Sequence, residues 1–209
     1  MATIRDVANM AGVSISTVSL ALNNSDKVSN ATNRKVWAAA KSVGYSPNPI
    51  AQSLARGHTD LIGMIVGDVA NPFFGQLLKE VEHLVLDKGH LVVVSDTEAE
   101  PEREIAMLNH LTAQRAAGAL LSPHGHKPDY VKALGEVSMP LVLLDHKVEG
   151  VEADFVSSDN ILASAMITEH VLRLGHRRIA HISGSSGLWT SEQRILGFRQ
   201  TRSTGGTTI

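Results

Sequence analysis

Hydrophobic positions in the first 45 residues recur at helical spacing. Ile4, Val7, Ala8 and Ala11 share one face, Gly12 supplies a permissive turn, and Val13, Val18, Ala21 and Leu22 make a second apolar face after Ser14, a residue with N-cap chemistry. A third helix is expected after Ser29, running through Val36, Trp37, Ala40 and Val43 to a stop at Gly44, with Trp37 packing the small core. The two prolines of Tyr45-Ser46-Pro47-Asn48-Pro49 mark a linker, and Ile50 to Arg56 has helix-forming composition over only about two turns, too few to be stable alone. From Leu61 the period changes. Apolar strands are expected at Leu61 to Val66, Leu91 to Val94, Ala119 to Leu121 and Leu141 to Leu144, alternating with helices at Phe74 to Asp87, Glu102 to Gln114 and Tyr130 to Glu136. Such alternation predicts a parallel sheet covered by helices. A second series follows Asp145: a strand near Phe155 to Ser157, a helix at Ile161 to Leu174, a strand at Arg178 to Ile182 and a helix opening near Ser191, which points to a second lobe.

Composition narrows the class. With 43% hydrophobic and 19% charged residues, the 209-residue chain reads as globular and larger than one usual domain. It has no cysteine, so no disulfide framework or thiolate metal site is expected. The start lacks the basic region and apolar run of a secretory signal, and no apolar run approaches the roughly 20 residues that span a bilayer, so a cytoplasmic location without membrane contact is expected.

The net charge of -2 conceals a division. Six basic residues (Arg5, Lys27, Arg34, Lys35, Lys41, Arg56) face two acidic ones (Asp6, Asp26) through His58, whereas the remainder is acidic. A basic helical head on an acidic body suits phosphate contact by the head alone. The first two helices and their turn outline a helix-turn-helix DNA reader, in which Ile15, Ser16, Thr17 and Ser19 are left free to face a partner. An ordinary helical hairpin is the alternative.

Enzyme signatures are missing. No Gly-x-Gly-x-x-Gly follows the first strand, no phosphate loop occurs, and Ser183-Gly184-Ser185-Ser186-Gly187 lacks nucleophile-elbow spacing, so no catalytic residue and no cofactor is expected. His124-Gly125-His126 lacks nearby further ligands, so no metal is expected either. Ligand chemistry belongs at the carboxyl ends of the strands. There Phe73 and Phe74 follow the first strand as adjacent aromatics, with faces that suit a sugar or purine ring, although opening the following helix would also account for them.

Thr3-Ile4-Arg5-Asp6-Val7-Ala8, Ala11-Gly12-Val13-Ser14, Thr17-Val18-Ser19, Gly44-Tyr45-Ser46-Pro47-Asn48 and the following Ala51-x-x-Leu54 stand in one register. They resemble the lactose/galactose/purine repressor (LacI/GalR) family of bacterial transcription regulators. The resemblance implies a repressor: an all-α helix-turn-helix head plus a periplasmic-binding-protein-like α/β effector domain, bound as a homodimer to a palindromic double-stranded operator under control of a sugar or nucleobase-like effector. It implies base reading by Ile15, Ser16 and Leu20, and backbone contacts from Thr17, Ser19, Asn23 and Arg56. Leu20 has no donor or acceptor, so it would discriminate by apolar contact such as a thymine methyl. Leu54 matches the hinge leucine wedged into the minor groove. Phe73, Phe74, Asp145, Asp159 and Arg194 match effector-pocket positions, although Asp159 could equally cap the helix that follows it.

The expected organisation is a headpiece over 1–46, a linker and hinge helix over 47–58, an N-lobe over 59–145 and a partial C-lobe over 146–209. The family pattern continues well past Gly197-Phe198, whereas Arg202 to Ile209 is polar, Gly/Thr-rich and without periodicity, so the second lobe is expected to be incomplete. A truncated remnant that regulates nothing and a sugar-binding lobe without DNA function are the alternative readings.

Overall fold

The computed structural model describes residues 2–23, 27–48, 52–53 and 56–204. They form two compact units, Met1–Thr59 and Asp60–Ile209.

The first unit holds helices α1 (Ile4–Ala11), α2 (Ile15–Leu22) and α3 (Asn30–Ser42). Each start is fixed by a side chain that satisfies an otherwise orphaned backbone N–H. Thr3 and Asp6 form a reciprocal capping box, Ser14 accepts from the Thr17 N–H at 3.1 Å, and Ser29 accepts from the Thr32 N–H at 3.3 Å. Gly12 ends α1 at φ +60°, a left-handed conformation costly for a residue with a Cβ. The core is Val7, Ala8, Ala11, Val18, Ala21, Leu22, Val36, Ala39 and Ala40, so small that the helices pack closely. Trp37 is not among them, against the sequence expectation: it is 42% exposed. It lies about 100° round the helix from Val36, at the flank of the buried stripe rather than in it.

The second unit is built on strands β1 (Leu61–Val66), β2 (Leu91–Asp96), β3 (Gly118–Leu121), β4 (Leu141–Leu144) and β5 (Asp154–Val156). All pairings are parallel, in the order β2-β1-β3-β4-β5. Helices α4 (Pro72–Leu86), α5 (Pro101–Ala113) and α6 (Pro128–Gly135) connect the first four strands, and α7 (Asn160–Arg173) and α8 (Trp189–Thr204) follow β5. Each connecting helix begins at a proline in its first turn, where the missing N–H costs nothing, so all three start one or two residues before the apolar period does.

Strand alternation sorts the core onto two faces. Ile65, Leu121 and Leu143 pack with Leu108, Leu111, Tyr130 and Leu134 on one side. Met64 and Val66 pack with Phe74 and partly buried Leu77, Leu78 and Leu120 on the other. Gly63 allows close packing, since a Cβ there would lie 2.1 Å from Leu111 Cδ1.

Two expectations are corrected. The strand near Phe155, assigned to a second lobe, instead pairs with β4 and extends the first sheet. Residues 178–182 form no strand: they pair with none of the five strands, and Ile182 is 96% exposed, so the ladder that an extended segment needs is not supplied by the described residues. Helices α7 and α8 pack on each other, with Ser164 Oγ donating to the Arg194 carbonyl at 2.7 Å and Gly197 set against the Ile161 carbonyl. No helix among the described residues is long and apolar enough to cross a membrane.

Candidate nucleic-acid interface and strand-end site

On α2 the apolar period buries Val18, Ala21 and Leu22 and turns the opposite face outward. Ile15 is 44% and Leu20 38% exposed, and Ser16 is exposed beside them. These three base-reading candidates therefore share the solvent face of one short helix. The backbone-contact candidates are more committed within the fold. Thr17 Oγ1 hydrogen-bonds Ser14 Oγ at 2.8 Å, and Asn23 Nδ2 donates to the Ser19 carbonyl at 2.8 Å, closing the end of α2. Ser19 is half-buried and Arg56 exposed. Leu54 lies outside the described residues. Sequence reasoning missed Gln52, whose Nε2 donates to the Leu22 carbonyl at 3.1 Å and ties the segment after the linker to the end of α2. A long-range amide contact of this kind leaves no periodic signal.

The strand ends carry a second group. Of the five effector candidates, Phe74 is buried among core residues, while Phe73 meets it edge to face at 5.1 Å and is 48% exposed. Asp159 caps α7 by accepting from the Leu162 N–H at 2.9 Å. Arg194 instead engages its neighbour Asn160, with Nε donating to Oδ1 at 2.8 Å. Asp145 sits at φ +63°, held there by its N–H to the Val156 carbonyl and by its carbonyl, which accepts from Ser157 Oγ. A non-glycine residue in that region is strained, a feature that clusters at ligand sites.

Of the side chains clustered beside Asp145, only His124 stood out in the sequence, and then as a metal question; Glu104, Tyr130 and His146 did not. Glu104 on α5 is fully buried and accepts hydrogen bonds from Tyr130 Oη, from the His124 backbone N–H at 3.1 Å and from the His124 ring, whose Nδ1 lies 3.0 Å from Oε1. The His124 ring meets that of His146 edge to face at 5.4 Å. His146 Nε2 is 3.4 Å from Asp145 Oδ2, and its Nδ1 is 3.4 Å from Thr190 Oγ1. Burial pushes the His146 imidazole below its ordinary pKa, with Asp145 opposing and His124 reinforcing the shift. A neutral ring suits both contacts: Nε2–H donates to Asp145, and Nδ1 accepts from the Thr190 hydroxyl. Burial, with the Glu104 charge beside it, drives the Tyr130 hydroxyl far above its usual range, so it remains a donor. A cavity of about 310 Å³ opens beside this cluster, lined by His124, His126, His146, Lys147, Trp189 and Glu192 among others, with Trp189 set edge to face on Phe155 at 5.3 Å. Among the described residues no three His, Cys, Asp or Glu side chains form a metal-binding group.

Residues 3–48 match the family described as bacterial regulatory proteins, lacI family, and residues 59–208 match periplasmic binding proteins and sugar binding domain of LacI family. The chain is 34% identical to the HTH-type transcriptional regulator GalR of Escherichia coli (strain K12) over 199 residues, covering 95% of this chain and 58% of that protein. It is 33% identical to the ribose operon repressor of the same strain over 210 residues, 100% of this chain and 64% of that one. Among solved structures, the lac repressor dimer bound to operator and the anti-inducer ONPF is similar at a TM-score of 0.79 and 27% identity, covering 99% of this chain and 63% of that chain. The chain thus spans about three fifths of the length of these relatives. A helix-turn-helix head and a parallel α/β unit, matched in that order along nearly the whole sequence, settle the assignment: the chain belongs to the LacI family of bacterial regulatory proteins.

Proposed function

We propose that this chain is a sequence-specific DNA-binding transcriptional regulator, acting as a repressor. It reads a palindromic double-stranded operator as a homodimer in the cytoplasm, and a small-molecule effector at the strand ends controls it. It has no enzymatic role. The observation that carries this reading is the solvent face of α2, where Ile15, Ser16 and Leu20 stand exposed over a helix whose other side is core. A helix docked in the major groove presents such a face to base edges. Ser16 can hydrogen-bond to several bases, and Leu20 selects by contact with a thymine methyl. Thr17, Ser19, Asn23 and Arg56 supply the register-fixing backbone contacts, and Leu54 the minor-groove wedge. Asp145, Asp159, Arg194 and Phe73 border the effector, with Phe74 backing Phe73 from the core and Arg194 holding hydroxyls or a carboxylate through its fork of donors. The name of the ribose operon repressor and a solved complex of the regulator CelR with cellobiose support a sugar as the effector class.

The test is selection of bound duplexes from a random pool, followed by fluorescence anisotropy on the selected site. The expected outcome is a palindromic site, affinity that falls steeply with salt, and relaxed preference at one symmetric pair of positions in Leu20→Ala. Equal affinity for all duplexes overturns the reading.

A further inference from the structure

The strand order places the reversal of winding between β1 and β3, the crevice where open α/β sheets bind ligands outside the strand ends. His124 stands at that point. It lies three residues past β3, and its ring covers Gly67, the residue after β1: a Cβ on Gly67 would fall 2.4 Å from His124 Cε1 and 2.8 Å from Nε2. The ring cannot turn freely there, because Glu104 takes both its Nδ1 and the backbone N–H of the same residue. Among the described residues Glu104 has no lysine or arginine partner; Tyr130 and His124 are its hydrogen-bond donors there. A carboxylate cannot donate, so the Nδ1 contact requires the proton on Nδ1. In the neutral ring Nε2 is then a bare acceptor, and it has no partner among the described residues.

We propose that Glu104 is a positioning residue that fixes His124 in its Nδ1–H form, so that Nε2 accepts a hydrogen bond from the effector, and that this effector is an uncharged, hydroxyl-rich molecule rather than a phosphorylated or carboxylated one. The proposal rests on the effector-controlled reading above and names its ligand chemistry. The charges around the ring agree with it. Glu104 on α5, Asp145 at the end of β4, Glu149 beyond it and Glu192 on α8 outnumber Lys147 and Arg194, so an anion entering beside an acceptor nitrogen meets net repulsion. A hydroxyl meets an acceptor at His124, and the indole of Trp189 offers an apolar face to ring carbons.

The tautomer is measured first, on the full chain labelled with ¹⁵N-histidine. Long-range ¹H–¹⁵N correlations are assigned to His124 by their loss in His124→Gln. The expected wild-type spectrum at neutral pH has the proton on Nδ1. Tyr130→Phe, which leaves the Glu104–His124 pair in place, keeps that signature, and Glu104→Leu releases it to a mixture or to Nε2–H. A wild-type Nε2–H ring overturns the proposal whether or not the Glu104 variant folds. Ligand class is measured by fluorescence in a Trp37→Phe background, where Trp189 is the remaining indole. D-ribose, D-galactose, cellobiose and D-ribose 5-phosphate are titrated into His124 and His124→Leu chains. Support is saturable binding of at least one neutral sugar, weakened tenfold or more by His124→Leu, with the phosphate bound less tightly than D-ribose. Tighter binding of the phosphate, a neutral sugar indifferent to His124→Leu, or no response to any neutral sugar overturns it. In the last case, operator binding that persists by anisotropy leaves the DNA-binding reading standing on its own evidence.

Discussion

The head and the sheet unit solve the same problem at different ranges in the sequence. In the head, every candidate contact on α2 falls between residues 15 and 23, and the Ser14 cap that aligns them is adjacent. At the strand ends, the cluster draws Glu104, His124, Tyr130, His146 and Thr190 from α5, the segment between β3 and α6, α6 itself, the end of β4 and α8. A local reader depends on one helix being formed. A cluster assembled from distant elements depends on the whole sheet holding register. Damage in the two places should therefore differ in kind.

The largest effect is expected at the close approach between β1 and α5. Gly63→Val puts branched carbon where Leu111 Cδ1 already stands, and overpacking of this sort costs about 1–3 kcal/mol. Urea unfolding followed by Trp189 fluorescence should shift to lower midpoint, while Trp37, in the other unit, reports an unchanged transition. A common shift of both indoles would show that the units do not unfold separately. At the reader, Leu20→Ala should reverse the pattern: up to about 1–3 kcal/mol of discrimination lost at one base pair, with fold stability changed by no more than about 0.5 kcal/mol. Comparing midpoints with binding curves on matched and mismatched duplexes checks both halves.

Smaller again is the cap. Ser14→Ala removes the acceptor for the Thr17 N–H and the partner of its hydroxyl, and should cost about 1 kcal/mol, confined to the Trp37 transition. Ser14→Asp keeps an acceptor and adds a charge favourable at a helix start, so it should retain the stability while weakening DNA binding through repulsion from phosphate. Loss of stability in both variants alike would remove the capping argument.

The contrast also decides what could be read from the sequence. Caps at Ser14 and Ser29, the turn at Gly12 and the strands at 61–66 and 141–144 were legible because their signals are periodic or adjacent. Trp37 misled because aromatic bulk suggests burial, whereas its angular position on α3 decides exposure. The strand expected at 178–182 has the right composition, but pairing is a property of neighbours, which composition cannot supply. Glu104 was invisible for a related reason. In the sequence it is one carboxylate among Glu98, Glu100 and Glu102, and only the fold buries it against His124 and Tyr130. Histidines 124 and 126 carried a signal, but His-x-His spacing speaks for metals and says nothing of a carboxylate 20 residues upstream.

Acid should separate the two units with the least perturbation. The folded His146 imidazole titrates below its ordinary 6.5 because burial disfavours the cation, so the unfolded chain binds the proton more readily. The sheet unit's stability from this group is therefore complete above pH 6.5 and is lost as pH falls from there toward the folded value. In the head, Asp6 is held below the usual 3.8 by the Thr3 N–H and hydroxyl of the capping box, so its contribution persists until the pH drops past 3.8. Asp96 in the sheet unit, lowered by the Glu98 and Val69 N–H groups, titrates in that same acidic window. Between pH 7 and 5, the Trp189 midpoint should decline while the Trp37 midpoint stays level, and His146→Phe should flatten the first curve in that range. A flat wild-type Trp189 profile would mean that His146 folds with its proton, with Nδ1–H then donating to the Thr190 hydroxyl and Nε2–H to Asp145, so that pairing with Asp145 rather than burial would govern the ring.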